Sequence, residues 1–357
     1  MKILDWYILK KFLSTFIYVV IILVMIICVI DYTEKNDDFM KNNVPGAYIR
    51  EYYLTFIPYM TALLTPIIAF IATVFVTAKL AAKTEIVAIL ASGVSFRRIM
   101  LPYLVGATMV AILSFYLNGW VIPDANKFRI NFEILYTKKP FYFSTRDIHM
   151  KIGPNDYLYM NRYNNQRDQG YQVTLEHIAD GELKAKLQGR TMQWDTSTHK
   201  WKIKMWQLRE FEETSEVVSN GEAMDTTLIL SPKDFRNQDR RWETLRMDEL
   251  REHIKLLEDR GSEDVIVYRI ERYIRYMSPF TIYILMFIGL IVSSRKNRRG
   301  TGFQIALGFL IAFGFIIFFI LARALAEANS IHPIFAVWLP NIMFTGVGLI
   351  MYKTVPR

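Results

Sequence analysis

Long apolar runs, grouped at the two ends of the chain, constrain its fold more than any other feature. A helix that crosses a bilayer needs roughly 20 mostly apolar residues, because the hydrocarbon core is about 30 Å thick. Such runs lie at Phe12 to Ile30, about Leu54 to Ala78, about Ile99 to Ile122, Met277 to Val292, about Phe303 to Ala324 and about Pro333 to Met351. Residues 124 to 275 read instead like a water-soluble sequence. The expected fold class is an α-helical membrane bundle of six transmembrane helices, three plus three, with an inserted domain. Pro58 and Pro66 in the second run are tolerated in a membrane helix and mark a kink. No small-residue cleavage site follows the first run, so it is expected to be an uncleaved anchor.

Loop charge orients the spans. The N-terminal tail carries Lys2, Lys10 and Lys11, and the connector after span two carries Lys79, Lys83, Arg97 and Arg98. The connector after span four has Arg295, Lys296, Arg298 and Arg299, and the C-terminal tail has Lys353 and Arg357. All fall on one side if both termini are cytoplasmic, as basic loops prefer. The connector after span one is acidic (Asp31, Glu34, Asp37, Asp38, Glu51) and belongs outside with the large insert. Topology therefore accounts for the net charge of +9, with no nucleic-acid partner required. The single cysteine, Cys28, excludes an internal disulfide and any multi-cysteine metal site.

In the insert the pattern alternates. Asp156 to Met160, Tyr171 to Leu175 and Lys200 to Trp206 read as half-buried strands. Gly153-Pro154-Asn155-Asp156, Asp180-Gly181 and Asp195-Thr196-Ser197-Thr198 read as turns. Six to nine short strands suggest an antiparallel sandwich or jelly roll. A helix is expected at about 247–259, with Leu250, Ile254 and Leu257 on one face. The domains expected are therefore 1–123 (spans one to three), 124–276 (the β-rich insert) and 277–357 (spans four to six). No catalytic constellation stands out, since His149, His177, His199 and His253 are scattered without metal-ligand spacing. Trp194, Trp201 and Trp206 either fill the core or line an apolar groove.

Between spans two and three, Thr84 is placed to cap a short helix and Gly93 to end it, at about 84–93. Ile86, Ile89 and Leu90 make its apolar face, and Glu85 suits its first turn. It either lies flat on lipid or inserts into a groove of a cytoplasmic partner.

Several stretches, in order, resemble one family. ILDWYILKKFLSTF at the start, TEIVAILASGVSFRRIMLP, VIP followed by Asn126, IADGELKAKLQGRTMQWDTSTHKWKI, MDELREHIKLLEDRG and IRYMSPF are similar to the lipopolysaccharide-export permeases of the LptF/LptG family. The resemblance covers essentially the whole chain. It implies the permease subunit of an ABC transporter in the bacterial inner membrane, with the β-jelly-roll-like domain in the periplasm. A sister permease, a cytoplasmic LptB-like ATPase dimer and periplasmic LptC/LptA-like jelly-roll bridge proteins are the implied partners. Lipopolysaccharide is the implied substrate, and no cofactor or metal is implied. The chain has no GxxxxGK[ST] phosphate loop of its own and is expected not to be an enzyme.

By the same resemblance Glu85, Ile86, Ile89, Leu90 and Gly93 couple to the ATPase. Spans one, two and five line the lipid cavity, making Phe309, Phe313, Arg323 and Glu327 cavity or gate candidates. Lys35, Lys41, Lys127 and Arg129 are candidates for lipid phosphate contact, although the exit of span one, Asp31-Tyr32-Thr33-Glu34, is acidic where the family often has lysine. Two rival readings are weaker. A mechanotransmitting subunit of the lipoprotein-release type usually has four spans, and an intramembrane enzyme needs paired catalytic residues that these spans lack.

Overall fold

The computed structural model describes residues 2–137, 146–212, 215–228, 230–232, 240–259, 261–262, 264–294 and 301–353. Of the basic residues used above for orientation, Arg295, Lys296, Arg298, Arg299 and Arg357 lie outside the described residues. The chain forms two compact units. One comprises residues 1–137, 242–251 and 266–357, and the other 138–241 and 252–265.

The first unit is helical: α1 (Ile3–Lys41), α2 (Gly46–Ala82), α3 (Glu85–Ala91), α4 (Phe96–Tyr116), a π-helical turn (Leu117–Val121), α5 (Ile122–Tyr136), then α7 (Val265–Ser293), α8 (Thr301–Glu327) and α9 (Pro333–Tyr352) after the insert. Among the described residues, six helical stretches are long and apolar enough to cross a membrane, with α4, the π-helical turn and α5 forming one of them. Pro58 and Pro66 sit inside α2 without ending it.

Two boundaries differ from expectation. Helix α1 does not stop at Ile30 but runs to Lys41. Phe39, in the polar extension, is buried with Tyr52, Phe56 and Phe132, so aromatic packing holds a segment whose own sequence is acidic. Likewise α5, which the sequence grouped with the insert, belongs to the helical unit, with Ile130 and Phe132 buried there.

Glycine allows the closest helix contacts. A Cβ at Gly106 of α4 would lie 2.6 Å from the Phe12 ring of α1. On the other side, Gly289 of α7 and Gly308 of α8 both pack against Phe70 and Val74 of α2. Small residues at such crossings let membrane helices approach where no hydrophobic drive separates protein from lipid.

The second unit is one antiparallel sheet with its strands in sequence order: β1 (Arg146–Lys151), β2 (Asp156–Asn164), β3 (Gln169–Ala179), β4 (Glu182–Asp195), β5 (Lys200–Phe211) and β6 (Glu216–Thr226). The division between the two units falls within α6 (Met247–Asp259). Asp180 and Gly181 both have positive φ, as a two-residue primed hairpin turn demands.

The strand order is a simple meander, and its jelly-roll-like character comes from a crease. In every ladder one transverse row is skipped: Asp147, Asn161, Gln172, Arg190, Met205 and Glu222. Asp147, Gln172 and Met205, on alternate strands, hold left-handed φ values of 53°, 49° and 49°. Non-glycine residues rarely adopt that conformation, and here it re-aims the chain. Each strand then has two consecutive residues on the polar side, such as Asn161-Arg162, so Met160 and Tyr163 both face the core. Without the crease, strict alternation would turn one half of the sheet inside out. Both halves instead contribute to one core, with Ile148, Leu158, Met160 and Val173 from one and Tyr163, Met192, Trp201 and Ile203 from the other. Trp201 is fully buried and donates its indole N–H to the Leu230 carbonyl at 2.8 Å. Trp194 meets it edge-on at 5.0 Å, and Trp206 lies against Gly221. These tryptophans belong to the core side of the sheet.

Candidate functional site

Two polar sites stand out in the helical unit. The first gathers α1, α2 and α5. One turn of α1 brings Lys35 Nζ to 2.8 Å from Asp31, the i,i+4 spacing that places side chains on one face. The same ammonium lies 3.7 Å from Glu133 of α5 and donates to Tyr52 Oη of α2. Glu133 in turn receives Arg129 Nη1 at 3.1 Å. Arg129 is 1% exposed, and each face of its fork is used. Nε donates to Asn126 at 2.9 Å, Nη2 donates to Glu243 at 2.8 Å, and the guanidinium stacks 3.9 Å from the Tyr59 ring centroid. Three carboxylates (Asp31, Glu133, Glu243) thus face two cations (Lys35, Arg129).

That arrangement changes the meaning of the phosphate candidates. Lys35 and Arg129 are brought together, but each already has carboxylate partners. Lys127 pairs with Asp124 at 2.9 Å and lies 3.6 Å from Glu249. Lys41 sits in the last turn of α1, and among the described residues it makes no ion pair. At Lys35 no cradle stands vacant, because Asp31 and Glu133 already face its ammonium. Arg129 is instead a structural clamp. With Asn126, which donates to the Glu243 carbonyl at 3.1 Å, it holds the short 3-10 turn Arg241–Glu243. Arg275 of α7 grips the same segment through the carbonyls of Trp242 and Leu245 at 2.9 and 2.7 Å.

The second site is α3, two turns between α2 and α4. Thr84 precedes it but does not cap it as expected. Its φ is +59°, and its hydroxyl bonds to the Lys83 carbonyl rather than to the helix. Gly93 ends the segment as expected, with φ +84°. Ile86 is 2% exposed in the main helical core, and Ile89 and Leu90 pack against that core. The apolar face therefore folds inward onto the chain's own helices, against the expectation that it is free for lipid or a partner groove. Burying it satisfies the hydrophobic effect locally. What faces out is Val87, Ala88 and Ala91. Glu85 accepts from Tyr7 Oη of α1 at 2.9 Å and lies 3.8 Å from Lys11, whose ammonium also contacts Tyr7. Nearby, the buried Asp5 of α1 accepts from Arg98 of α4 at 2.6 Å.

Helix α8 turns Phe309 and Phe313 outward, 52% and 60% exposed, while Ala312 and Phe315 face the core. Arg323 and Glu327 form a local pair at 2.8 Å. Both α1 and α8 leave most of their apolar surface uncovered by the rest of the chain.

Tyr52, Tyr59, Glu133 and Glu243 were not among the sequence candidates. The i,i+4 pairs Asp31–Lys35 and Arg129–Glu133 are visible in the sequence as helical ion-pair spacing. Nothing local marks Glu243, which reaches Arg129 across 114 residues.

Six apolar spans, a creased antiparallel sheet inserted between the third and fourth, and a short helix between the second and third define the architecture of a multi-pass membrane protein. The family model for the lipopolysaccharide export system permease LptF/LptG matches residues 6–354. The chain belongs to that family of lipopolysaccharide export permeases. A comparison with curated proteins returned no match.

Proposed function

We propose that this chain is one of two permease subunits of an ABC transporter that takes lipopolysaccharide out of the inner membrane, driven by a separate ATPase. The observation that carries the reading is the family match over nearly the whole chain. In this reading both termini are cytoplasmic, the β-rich domain is periplasmic, and jelly-roll bridge proteins receive the lipid. The chain divides functionally at 1–123, 124–276 and 277–357, with the helical segments at both edges of the middle part packed in the helical unit.

Helix α3 supplies the point of contact with the ATPase. Its outward residues Val87, Ala88 and Ala91, with Gly93, meet the partner, while Ile86, Ile89 and Leu90 anchor it to the bundle. Glu85, part-exposed, also meets the ATPase and links the docking helix to α1 through Tyr7 and Lys11. The uncovered faces of α1 and α8, including Phe309 and Phe313, meet acyl chains or the sister permease. Arg323 and Glu327 close the outer end of α8 as a pair. Lys35 and Lys41 meet lipid phosphates at the outer end of α1, and at Lys35 the phosphate replaces Asp31 and Glu133. Lys127, half exposed, adds a third contact.

The test is purification from native membranes under mild detergent. An ATPase, a second permease of the family and bound lipopolysaccharide are expected in stoichiometric amounts. Recovery of the intact chain without all three would overturn the reading.

A further inference from the structure

The outer, polar face of the sheet carries a cavity that the lipid-path reading does not use. Register places His149 opposite Tyr159, and Lys151 opposite Tyr157, which pairs with Glu176 on the next strand. These five side chains form a tile on the side away from Ile148, Leu158 and Met160. With Met150, Leu158 and Gly261, where a Cβ would meet open space, they line a cavity of about 380 Å³. That is the size range of small-molecule pockets.

The chemistry is specific. His149 and Tyr159 set two rings 4.8 Å apart, and Tyr157 is 38% exposed. Aromatic faces carry partial negative charge and suit the C–H face of a flat, hydroxylated ring. Glu176 is neutralised by Lys186 at 2.8 Å. The Lys151 ammonium, 5.6 Å from the Tyr157 ring centroid, has no carboxylate partner among the described residues. One unpaired cation beside two or three ring faces and polar rim groups fits a saccharide ring bearing a carboxylate.

We infer that this tile is a binding site for an acidic saccharide unit. The inference rests on the proposed function only for where such a ring comes from, the carbohydrate part of the exported lipid.

Saturation-transfer NMR on the full chain in detergent micelles tests it, with glucuronate, glucose and inorganic phosphate as probes. Glucuronate should receive saturation and glucose much less, and phosphate should not displace glucuronate. Tyr157→Ala should weaken glucuronate binding roughly three- to tenfold, as expected for one aromatic contact. Tyr157→Phe should retain it. Lys151→Ala should reduce glucuronate to the level of glucose. Equal glucuronate signal in Tyr157→Ala and the wild type, no signal in the wild type, or displacement by phosphate would each overturn the site. Glucuronate binding in a chain that fails to export lipid would support the site and count against the transport reading.

Discussion

Tyr7 of α1 donates a hydrogen bond to Glu85, the first residue of α3, at 2.9 Å. The bond joins the short helix between α2 and α4 to the longest uninterrupted α-helix among the described residues, 39 residues and so about 58 Å at 1.5 Å per residue. The far end of that same helix carries Asp31 and Lys35. A displacement of α3 is thereby tied to one end of a rod whose other end holds the polar cluster.

Glu85→Arg should lose the ATPase on purification while the bundle stays folded, because Glu85 is part-exposed and surface ion pairs contribute only about 0–1 kcal/mol. Tyr7→Phe should keep the ATPase bound but slow ATP-driven lipid release. Thermal unfolding and co-purification check folding and ATPase retention in both, and ATP-driven lipid release from proteoliposomes checks Tyr7→Phe. Normal ATPase recovery with Glu85→Arg would remove Glu85 from the coupling contact.

Arg129→Ala should be among the most damaging single changes. It leaves Glu133 and Glu243 without their guanidinium in a buried site, a change that costs about 3–5 kcal/mol. Arg129→Lys should recover only part of that, since one ammonium cannot serve Asn126, Glu133 and Glu243 and stack on Tyr59 together. Denaturation of the purified chain measures it, and a loss below about 1 kcal/mol for Arg129→Ala would show that the clamp is not as buried as its contacts require.

At Lys35 two substitutions should act in opposite directions. Lys35→Ala should lower the lipopolysaccharide retained after purification. Glu133→Gln removes one of the competing carboxylates and should raise it. Phosphate analysis per mole of protein reads both, and a fall with Glu133→Gln would refute displacement of the carboxylate by lipid phosphate.

The creased sheet makes its own prediction. Gly189→Ala places a methyl against Ile203 across the crease and should destabilise the β-rich unit by about 1–3 kcal/mol, the usual cost of overpacking. Adding Ile203→Ala, which removes the Cγ2 that the new methyl meets, should cost less than the sum of the two single changes. Hydrogen exchange in β4 and β5 follows it. Strictly additive losses would mean the two side chains do not meet.

The sequence made the spans legible because each is an uninterrupted apolar run, and the strands legible through alternation. It did not reveal the polar end of α1, which is helical because Phe39 packs among Tyr52, Phe56 and Phe132 from elsewhere in the chain. The crease was hidden for a different reason. Its left-handed positions are Asp147, Gln172 and Met205, with no glycine to advertise them. Consecutive polar residues at Asn161-Arg162 and Arg190-Thr191 were its only local trace. For α3, the amphipathic pattern identified the helix correctly but not what its apolar face packs on, because a buried face and a docking face have the same composition.

The most direct measurement is lipid transfer from proteoliposomes holding this chain, its sister permease and the ATPase, with a jelly-roll acceptor outside. The account predicts ATP-dependent movement of lipopolysaccharide to the acceptor that requires this chain and is abolished by Glu85→Arg. Transfer that continues without this chain, or at the wild-type rate with Glu85→Arg, would contradict it.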